Sequence, residues 1–508
     1  MKKILRTFFS RFSLIAISVL LQIVIIFICI EFLLVDYVWF YIASLVISFA
    51  LIVTLPFRSM PAEGKITWLL LILVLPPFGA ILYIMFSKNF ISNRQKKMYK
   101  KMEEKKDRYN TKKDDYENVM KKKMPIKYYG QMEYIYSCNR QIGFTNTKTE
   151  FYSSGEHYFD SLLTELKKAE KFIFMEFFII EPGKFFDSIV EVLEEKVKKG
   201  VDVRLIFDDL GSMTKVPFNY YKYLTNKGIK VVKFNRFVPI VSAVHNNRDH
   251  RKIVVIDGKV GFTGGINLAD EYINVTHPFG HWKDTGIKLV GQAVDELTIM
   301  FLTNYNLQRR KIESTSKYLN QFDYVEHDGI VVPYGDGPRP IYQEYVGENV
   351  YLNMINQAER YIWITTPYLI IDGKMKTSLQ NAASRGVDVR IVTPHIPDKK
   401  LIFMITRSSY ESLQKYGVKI YEYKPGFIHA KQVLCDDDVG IIGTINFDYR
   451  SLLHHYENAV WMYKSYALID MKEDFKEIFA SSYNMKDYKQ NRIIHFLCKV
   501  GEVFQPLL

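Results

Sequence analysis

The sequence predicts an α/β protein built as two tandem, related units set behind N-terminal transmembrane helices. Three observations carry this expectation: a block pattern that occurs twice after residue 150, a polar motif that occurs once in each copy, and three apolar stretches before residue 90. At 508 residues the chain is too long for one ordinary domain. A hydrophobic fraction of 48% with 24% charged residues excludes a largely disordered or collagen-like chain. Its four cysteines, Cys29, Cys138, Cys435 and Cys498, form no C-x-x-C pair, which argues against a disulfide framework or a thiolate zinc site.

The apolar stretches cover residues 13–35, 37–55 and 66–86, each close to the roughly 20 residues that cross a bilayer as a helix. Lys2, Lys3, Arg6 and Arg11 give the first a positive head, as in a signal peptide. No small-residue cleavage site follows and more apolar sequence comes at once, so a membrane anchor is the better reading. Positive residues on both flanks of the block favour an even number of crossings, against three candidates. Pro76-Pro77 and Gly79 mark 66–86 as the stretch that is re-entrant or interfacial. Residues 88–127 hold 15 Lys/Arg against 6 Asp/Glu and concentrate most of the chain's net charge of +13. Such a run is a solvated linker or a collar on anionic headgroups, each cation at the surface being worth about 1 kcal/mol. Its place beside apolar spans favours lipid, and no nucleic acid is expected. Residues 1–87 are thus expected as membrane helices and 88–148 as a basic linker.

The repeat defines the rest. Ala169–Phe174, Gly200–Leu205 and Gly228–Val231 match, in order, Ala358–Trp363, Gly386–Ile391 and Gly417–Ile420. Each is a short apolar run rich in β-branched and aromatic residues after a helical pattern, the signature of strands alternating with helices. Two units are expected, 149–330 and 331–508, each a buried sheet with covering helices. Phe172–Phe178 and Tyr361–Trp363 are read as sheet core rather than as lipid contacts.

Both units carry His-x-Lys-x4-Asp followed by Gly and Asn. His250, Lys252, Asp257, Gly264, Gly265 and Asn267 correspond to His429, Lys431, Asp436, Gly443, Thr444 and Asn446, every member 179 residues on. One match is easily accidental, but two in register within a duplicated scaffold are not. On a strand, His and Lys at i and i+2 share a face. Asp257-Gly258 signals a two-residue hairpin, which would set Lys252 opposite Thr263 and His250 opposite Gly265, with glycine backbone open to a ligand. Imidazole, ammonium and carboxamide (Asn267, Asn446) then suit a phosphate's non-bridging oxygens, with Gly265 and Thr444 in support. Asp257 and Asp436 fit two readings equally, a catalytic group or a hairpin-tip support.

A working imidazole needs an acceptor on its second nitrogen. Asp284 and Glu457 occupy equivalent strand positions and are the preferred orienters, with Glu271 in reserve for the first unit. Two copies imply one site where the units meet about a pseudo-twofold. There one histidine attacks phosphorus while the other, protonated, serves the departing alkoxide, and the lysines offset charge on the equatorial oxygens. That chemistry calls for no metal and no cofactor.

The paired motif resembles that of the phospholipase D superfamily, and within it the chain is most similar to bacterial cardiolipin synthases. Met175-Glu176-Phe177, Phe262–Asn267, Ala269–Tyr272, Trp282–Thr285, Thr365–Tyr368 and Asp448–Ser451 support the likeness, which runs from the apolar N-terminus to Pro506-Leu507-Leu508. The resemblance implies two mixed-sheet domains and reversible phosphatidyl transfer between two phosphatidylglycerol molecules, giving cardiolipin and glycerol at the cell membrane through a phosphohistidine. It implies a multi-pass protein with cytoplasmic catalytic domains, anionic lipids as partners, His250 as nucleophile and His429 as acid/base. The departures are Cys435 in place of an aliphatic residue and three apolar stretches in place of two. The motif itself does not separate transfer from phospholipase D-type hydrolysis or from another phosphatidyltransferase. A membrane-bound phosphodiesterase or nuclease fits the apolar stretches poorly, and a non-catalytic scaffold leaves two polar clusters unexplained. The tail 491–508 reads either as a membrane-facing amphipathic helix or as one packed on the body.

Overall fold

A computed structural model describes residues 38–87, 93–104, 120–237 and 246–504 apart from 324, 326–327, 340 and 487, together with scattered positions between 17 and 32. The apolar N-terminal sequence becomes helical and breaks at prolines. Helix α1 (Val38–Thr54) continues through a turn to Phe57. Its 20 residues make it the one helix among the described residues long and apolar enough to cross a membrane. The stretch 66–86 is not one span. It divides at Leu75, because prolines open the next helix, into α2 (Ala62–Val74) and α3 (Pro76–Phe86), each too short to cross alone. The two pack as a hairpin, with Trp68 edge-on to Tyr83 at 5.3 Å and Ser48 of α1 donating to the Pro76 carbonyl at 2.6 Å. Most of the stretch 13–35, much of the basic segment (88–92 and 105–119) and the last four residues lie outside the described residues.

After α4 (Asn93–Glu104), the segment read as linker ends in a packed helix, α5 (Ile126–Asn139). Tyr128, Met132 and Ile135 of α5 are buried, and Gln131 accepts a hydrogen bond from the Trp461 indole at 2.9 Å. The first repeat then runs β1 (Thr147–Tyr152), α6 (Gly155–Lys168), β2 (Phe172–Phe177), α7 (Lys184–Lys198), β3 (Asp202–Asp208), α8 (Tyr220–Asn226), β4 (Lys230–Phe234), β5 (Ile253–Ile256), β6 (Val260–Gly264), β7 (His281–Lys283), β8 (Gly286–Gly291) and α9 (Val294–Arg309). The second runs β9 (Ile330–Asp336), α10 (Val346–Gln357), β10 (Tyr361–Thr365), β11 (Leu369–Ile370), α11 (Gly373–Ser384), β12 (Asp388–Pro394), α12 (Lys400–Ser408), α13 (Tyr410–Gln414), β13 (Lys419–Tyr423), β14 (Gly426–Ile428), β15 (Gln432–Cys435), β16 (Val439–Gly443), β17 (Phe447–Asp448), α14 (Tyr449–Leu453), β18 (Glu457–Tyr463), α15 (Ala467–Ala480), β19 (Ser482–Asn484) and α16 (Arg492–Glu502).

The two sheets have one topology. Strand order β1-β8-β6-β5-β2-β3-β4 corresponds to β9-β18-β16-β15-β10-β12-β13, to which the second sheet adds β19. In each, three strands are parallel (β2-β3-β4 and β10-β12-β13) and the remaining pairings are antiparallel, so both sheets are mixed. The central strand β2 is buried throughout, as expected, because the sheet is covered on both faces. Ile173, Met175 and Phe177 face the first unit's own core with α6 and α7. Phe172 and Phe174 face a larger core that runs on through α9 into β9, β10 and β16 of the second unit. One apolar interior therefore holds both units together.

The hairpin after the first motif differs from the expectation by one residue. Asp257 and Gly258 both take positive φ, the turn includes Lys259, and Ile256 pairs with Val260. Ile253 thus lies opposite Thr263, so Lys252 and His250, which precede β5, do not face Thr263 and Gly265. Asp257 and Asp436, counted with the catalytic set, are held at these turns and are not brought to the histidines. Asp257 accepts from the backbone N–H groups of Glu170, Lys171 and Phe172 at 2.7, 2.7 and 2.8 Å. Asp436 does the same for Glu359, Arg360 and Tyr361 at 2.9, 2.8 and 2.9 Å. A carboxylate suits this place because three donors entering a buried strand need an acceptor. Replacing Asp257 or Asp436 by Ala is expected to destabilise the protein by about 3 kcal/mol, since the orphaned N–H groups bear the cost. A denaturation midpoint in detergent checks this, and an unchanged midpoint would contradict the assignment.

Candidate active site

The site is built by an exchange of backbone between the two units. Asp249 and Tyr456 form a parallel bridge in which the His250 N–H donates to the Tyr456 carbonyl at 2.8 Å. In the symmetric place β14 runs parallel to β7, and the His429 N–H donates to the Lys283 carbonyl at 2.7 Å. Each histidine therefore lies beside the residue that precedes the other unit's carboxylate, Glu457 after Tyr456 and Asp284 after Lys283.

The side chains follow the backbone. His250 Nδ1 lies 2.9 Å from both carboxylate oxygens of Glu457, and His429 Nδ1 lies 2.6 Å from Asp284 Oδ2. Asp284 and Glu457 thus meet the histidines crossed, each beside the ring of the other unit. With Nδ1 committed to the carboxylate, Nε2 is the nitrogen left to meet a substrate. Glu457 also accepts from Thr444 Oγ1 and, at 2.6 Å, from Ser451 Oγ. Asp284 accepts the Thr285 N–H at 2.9 Å.

Lys252 and Lys431 fold back on their own motif, the former donating to the His250 carbonyl at 2.7 Å and the latter to the His429 carbonyl. The four motif side chains are buried, and this sets their charge. Burial pulls Lys252 down to about 8, against the attraction of Glu457 and Asp284. Burial and the neighbouring Lys252 pull Lys431 to about 7. Burial, then the two lysines and His429, hold His250 well below the usual imidazole value. Burial and Lys431 bring His429 to about 4, with Asp284 pulling the other way. Burial pushes the Asp284 carboxyl up, but the charges of His429 and Lys431 outweigh it and keep it below the usual value.

The supporting residues divide. Gly265 makes room for a protein carboxylate rather than for a ligand, since a Cβ there would sit 2.0 Å from Asp284 Oδ1. Thr444 stands at the equivalent position and turns its hydroxyl onto Glu457. Asn267 spans Tyr272 Oη at 2.6 Å and the Ile179 N–H at 3.1 Å, so its carboxamide is already committed to protein partners. The Asn446 N–H donates to Ser451 Oγ at 2.8 Å. Glu271 is not brought to a histidine: it pairs with Lys215 at 3.3 Å. Aromatic rings wall the imidazoles, Phe178 beside His250 at 5.1 Å, and Tyr272 and Trp282 beside His429 at 5.4 Å each.

His455 escaped the sequence reading because it belongs to no motif. Its ring lies 5.6 Å from that of His250 and its Nδ1 3.5 Å from Glu457 Oε1. His250, His455 and Glu457 form the one group among the described residues with geometry to hold a metal ion, each offering a ligand atom within 4.8 Å of the others. Any ion there would compete with the His250–Glu457 hydrogen bond. Ser451 enters the sequence reading only within Asp448–Ser451, a string that supports the resemblance, without a role of its own.

Residues 162–277 and 351–480 match the family model described as cardiolipin synthase, PLD-like domain, and residues 45–88 match the phospholipase D-nuclease N-terminal model. An uncharacterized protein of Streptococcus mutans is 42% identical over 424 residues, covering 84% of this chain and 91% of that protein. Cardiolipin synthase 2 of Bacillus cereus is 34% identical over 442 residues, covering 85% of this chain and 84% of that one. The crystal structure of phosphatidylserine synthase from Haemophilus influenzae resembles the fold with a TM-score of 0.56, at 13% identity, over 74% of this chain and 100% of that chain.

The crossing has a measurable consequence. In double-mutant cycles on unfolding free energy, His250→Ala with Glu457→Gln and His429→Ala with Asp284→Asn should each show a coupling of about 1 kcal/mol or more. The uncrossed pairs, His250 with Asp284 and His429 with Glu457, should lie nearer additivity, and equal coupling in all four would contradict the exchange.

Proposed function

We infer the function from one premise: this chain belongs to the cardiolipin synthase family of phospholipase D-like proteins. It is a phosphatidyltransferase that moves a phosphatidyl group from one phosphatidylglycerol to another, releasing glycerol and forming cardiolipin. The observation that carries the reading is the pair of buried imidazoles, each fixed through Nδ1 by the other unit's carboxylate.

The steps follow from this arrangement. His250 Nε2, kept neutral by burial and the nearby lysines, attacks phosphorus as the P–O bond to glycerol breaks. His429 gives its proton to the departing alkoxide. When the phosphodiester anion enters, it offsets the charge of Lys252 and Lys431 and so raises His429 towards the protonated state, which Asp284 stabilises through Nδ1. Both lysines balance the charge on the equatorial oxygens. The hydroxyl of a second phosphatidylglycerol then loses its proton to neutral His429 and attacks phosphorus, the P–N bond breaks, and His250 is restored. Asp257 and Asp436 support this chemistry through the sheet rather than by contact with the reacting atoms.

The reading divides the chain into an anchor over 1–87, a basic connection over 88–148 and catalytic units over 149–330 and 331–508. The anchor is multi-pass and the catalytic units are cytoplasmic. Support comes from Lys and Arg on both flanks of the apolar block and from the spanning length of Val38–Phe57. Anionic phospholipids are the partners, and the basic segment gathers them at the surface.

Purified protein incubated with labelled phosphatidylglycerol should yield cardiolipin and free glycerol, and phosphatidic acid as the sole lipid product would assign hydrolysis instead. Labelled phosphate should be trapped on the wild type and on His429→Ala but not on His250→Ala. Adduct on the His250 variant alone would reverse the two roles.

The pH profile supplies an independent check. A lysine must be protonated to bind the phosphate, so its contribution is complete below its pKa and disappears as pH rises through it. With Lys431 at about 7 and Lys252 at about 8, kcat/KM should fall between roughly pH 7 and 9. The limb in kcat should lie at higher pH, because bound anion favours both ammonium groups. A kcat/KM that stays level to pH 9.5 would contradict the burial argument.

A further inference from the structure

Helix α16 packs with its apolar face outward. Ile493, Phe496, Leu497, Val500 and Phe504 follow helical spacing and form one stripe, and all are exposed, Ile493 at 71% and Phe496 at 66%. The opposite side meets the body. Cys498 is buried, Glu502 accepts from Ser408 of α12 at 2.8 Å, and Gln490 donates to the Met404 carbonyl at 3.0 Å. Asn491 caps the helix by accepting the N–H groups of Ile493 and Ile494. A helix on a water-facing surface would be expected to bury such a stripe. Leu401 of α12, also exposed at 61%, presents another large apolar side chain from the helix that carries α16.

What lies alongside identifies the occupant. The Val503 carbonyl at the end of α16 accepts from Thr67 in α2, ten residues after the spanning helix ends at Phe57. The body meets the anchor at the same level, through Ser59 with Arg339 at 2.8 Å and Glu63 with the Gly373 N–H at 3.0 Å. The outward stripe therefore ends against the anchor, ten residues past the spanning helix, and Arg492 and Lys499 lie along one of its edges, where an interfacial helix carries cations. We propose that α16 lies in the membrane interface, its stripe from Ile493 to Phe504 among the acyl chains, and docks the second catalytic unit onto the lipid surface.

The test uses the full chain with its native cysteines replaced, in vesicles of phosphatidylcholine and phosphatidylglycerol. An environment-sensitive fluorophore at Ile493→Cys, Phe496→Cys or Val500→Cys should be quenched by brominated acyl chains several-fold more than one at Lys198→Cys, and shielded from iodide. Equal iodide quenching at all four positions would overturn the proposal. So would a Phe496→Cys disulfide between two copies without quenching by brominated lipid, which would make a second copy the occupant. Phe496→Asp with Val500→Asp should lower transfer on vesicles roughly tenfold, about the effect of losing part of two buried apolar side chains, and leave transfer in mixed micelles near wild type. An equal loss in both settings would mark the stripe as structural and overturn the proposal. Because the fluorescence readout needs no turnover, it stands or falls separately from the assigned reaction.

Discussion

The site depends on one constraint: each imidazole must be held by a carboxylate from the other unit. His250 cannot be oriented without Glu457, nor His429 without Asp284, and the backbone bonds His250 N–H to Tyr456 and His429 N–H to Lys283 impose the exchange before any side chain is placed. Neither unit alone pairs its motif histidine with a carboxylate. The continuous apolar core that joins α9 of the first unit to β9 and β10 of the second therefore does more than stabilise the fold. It fixes the separation and tilt of the elements that carry the two motif histidines.

Burial then sets the chemistry of the four motif side chains. In water, Lys252 and Lys431 would be permanently charged and the histidines half protonated near neutrality. Inside, desolvation and mutual repulsion leave neutral imidazoles and lysines that titrate near neutral pH. Glu457 and Asp284 are the anions beside the two lysines and the neutral imidazoles. On the proposed reaction, an arriving phosphodiester adds a negative charge that favours the protonated lysines and a protonated His429 in the same event.

Several of these relations could be read from the chain. The duplication, the strand blocks and the twin His-Lys pairs were visible because they recur at a fixed spacing, and a repeat is a signal that packing does not erase. Asp284 and Glu457 were found by aligning the two copies. The crossing was not, because equivalence in sequence says nothing about which copy's histidine a carboxylate will face. Asp257 illustrates a second limit: a spacing repeated within the chain marks a residue as needed but does not tell a reacting group from one that ties three backbone N–H groups into a sheet. The hairpin register slipped because Lys259 joins Asp257 and Gly258 in the turn, a single residue that strand periodicity cannot count. His455 was out of reach for the opposite reason, since a single unrepeated histidine acquires meaning only from what lies beside it.

The duplication is also broken where the two histidines must differ. Glu457 is shared among His250, Thr444 and Ser451, so its negative charge is divided over several donors. Asp284 has no hydroxyl of that kind beside it, because the position equivalent to Thr444 is Gly265, and its Oδ2 is turned at 2.6 Å onto His429. A less divided carboxylate holds a proton on its imidazole more firmly. Asp284 accordingly opposes the lowering of His429 both by charge and by hydrogen bond, whereas at His250 the cations and burial prevail. On the proposed reaction, the ring held by the less divided carboxylate is the one assigned to carry the proton, and His250 the one assigned to attack phosphorus. Gly265 in place of Thr444, and Asp284 in place of Glu457, are two points at which the copies of the motif differ around their histidines.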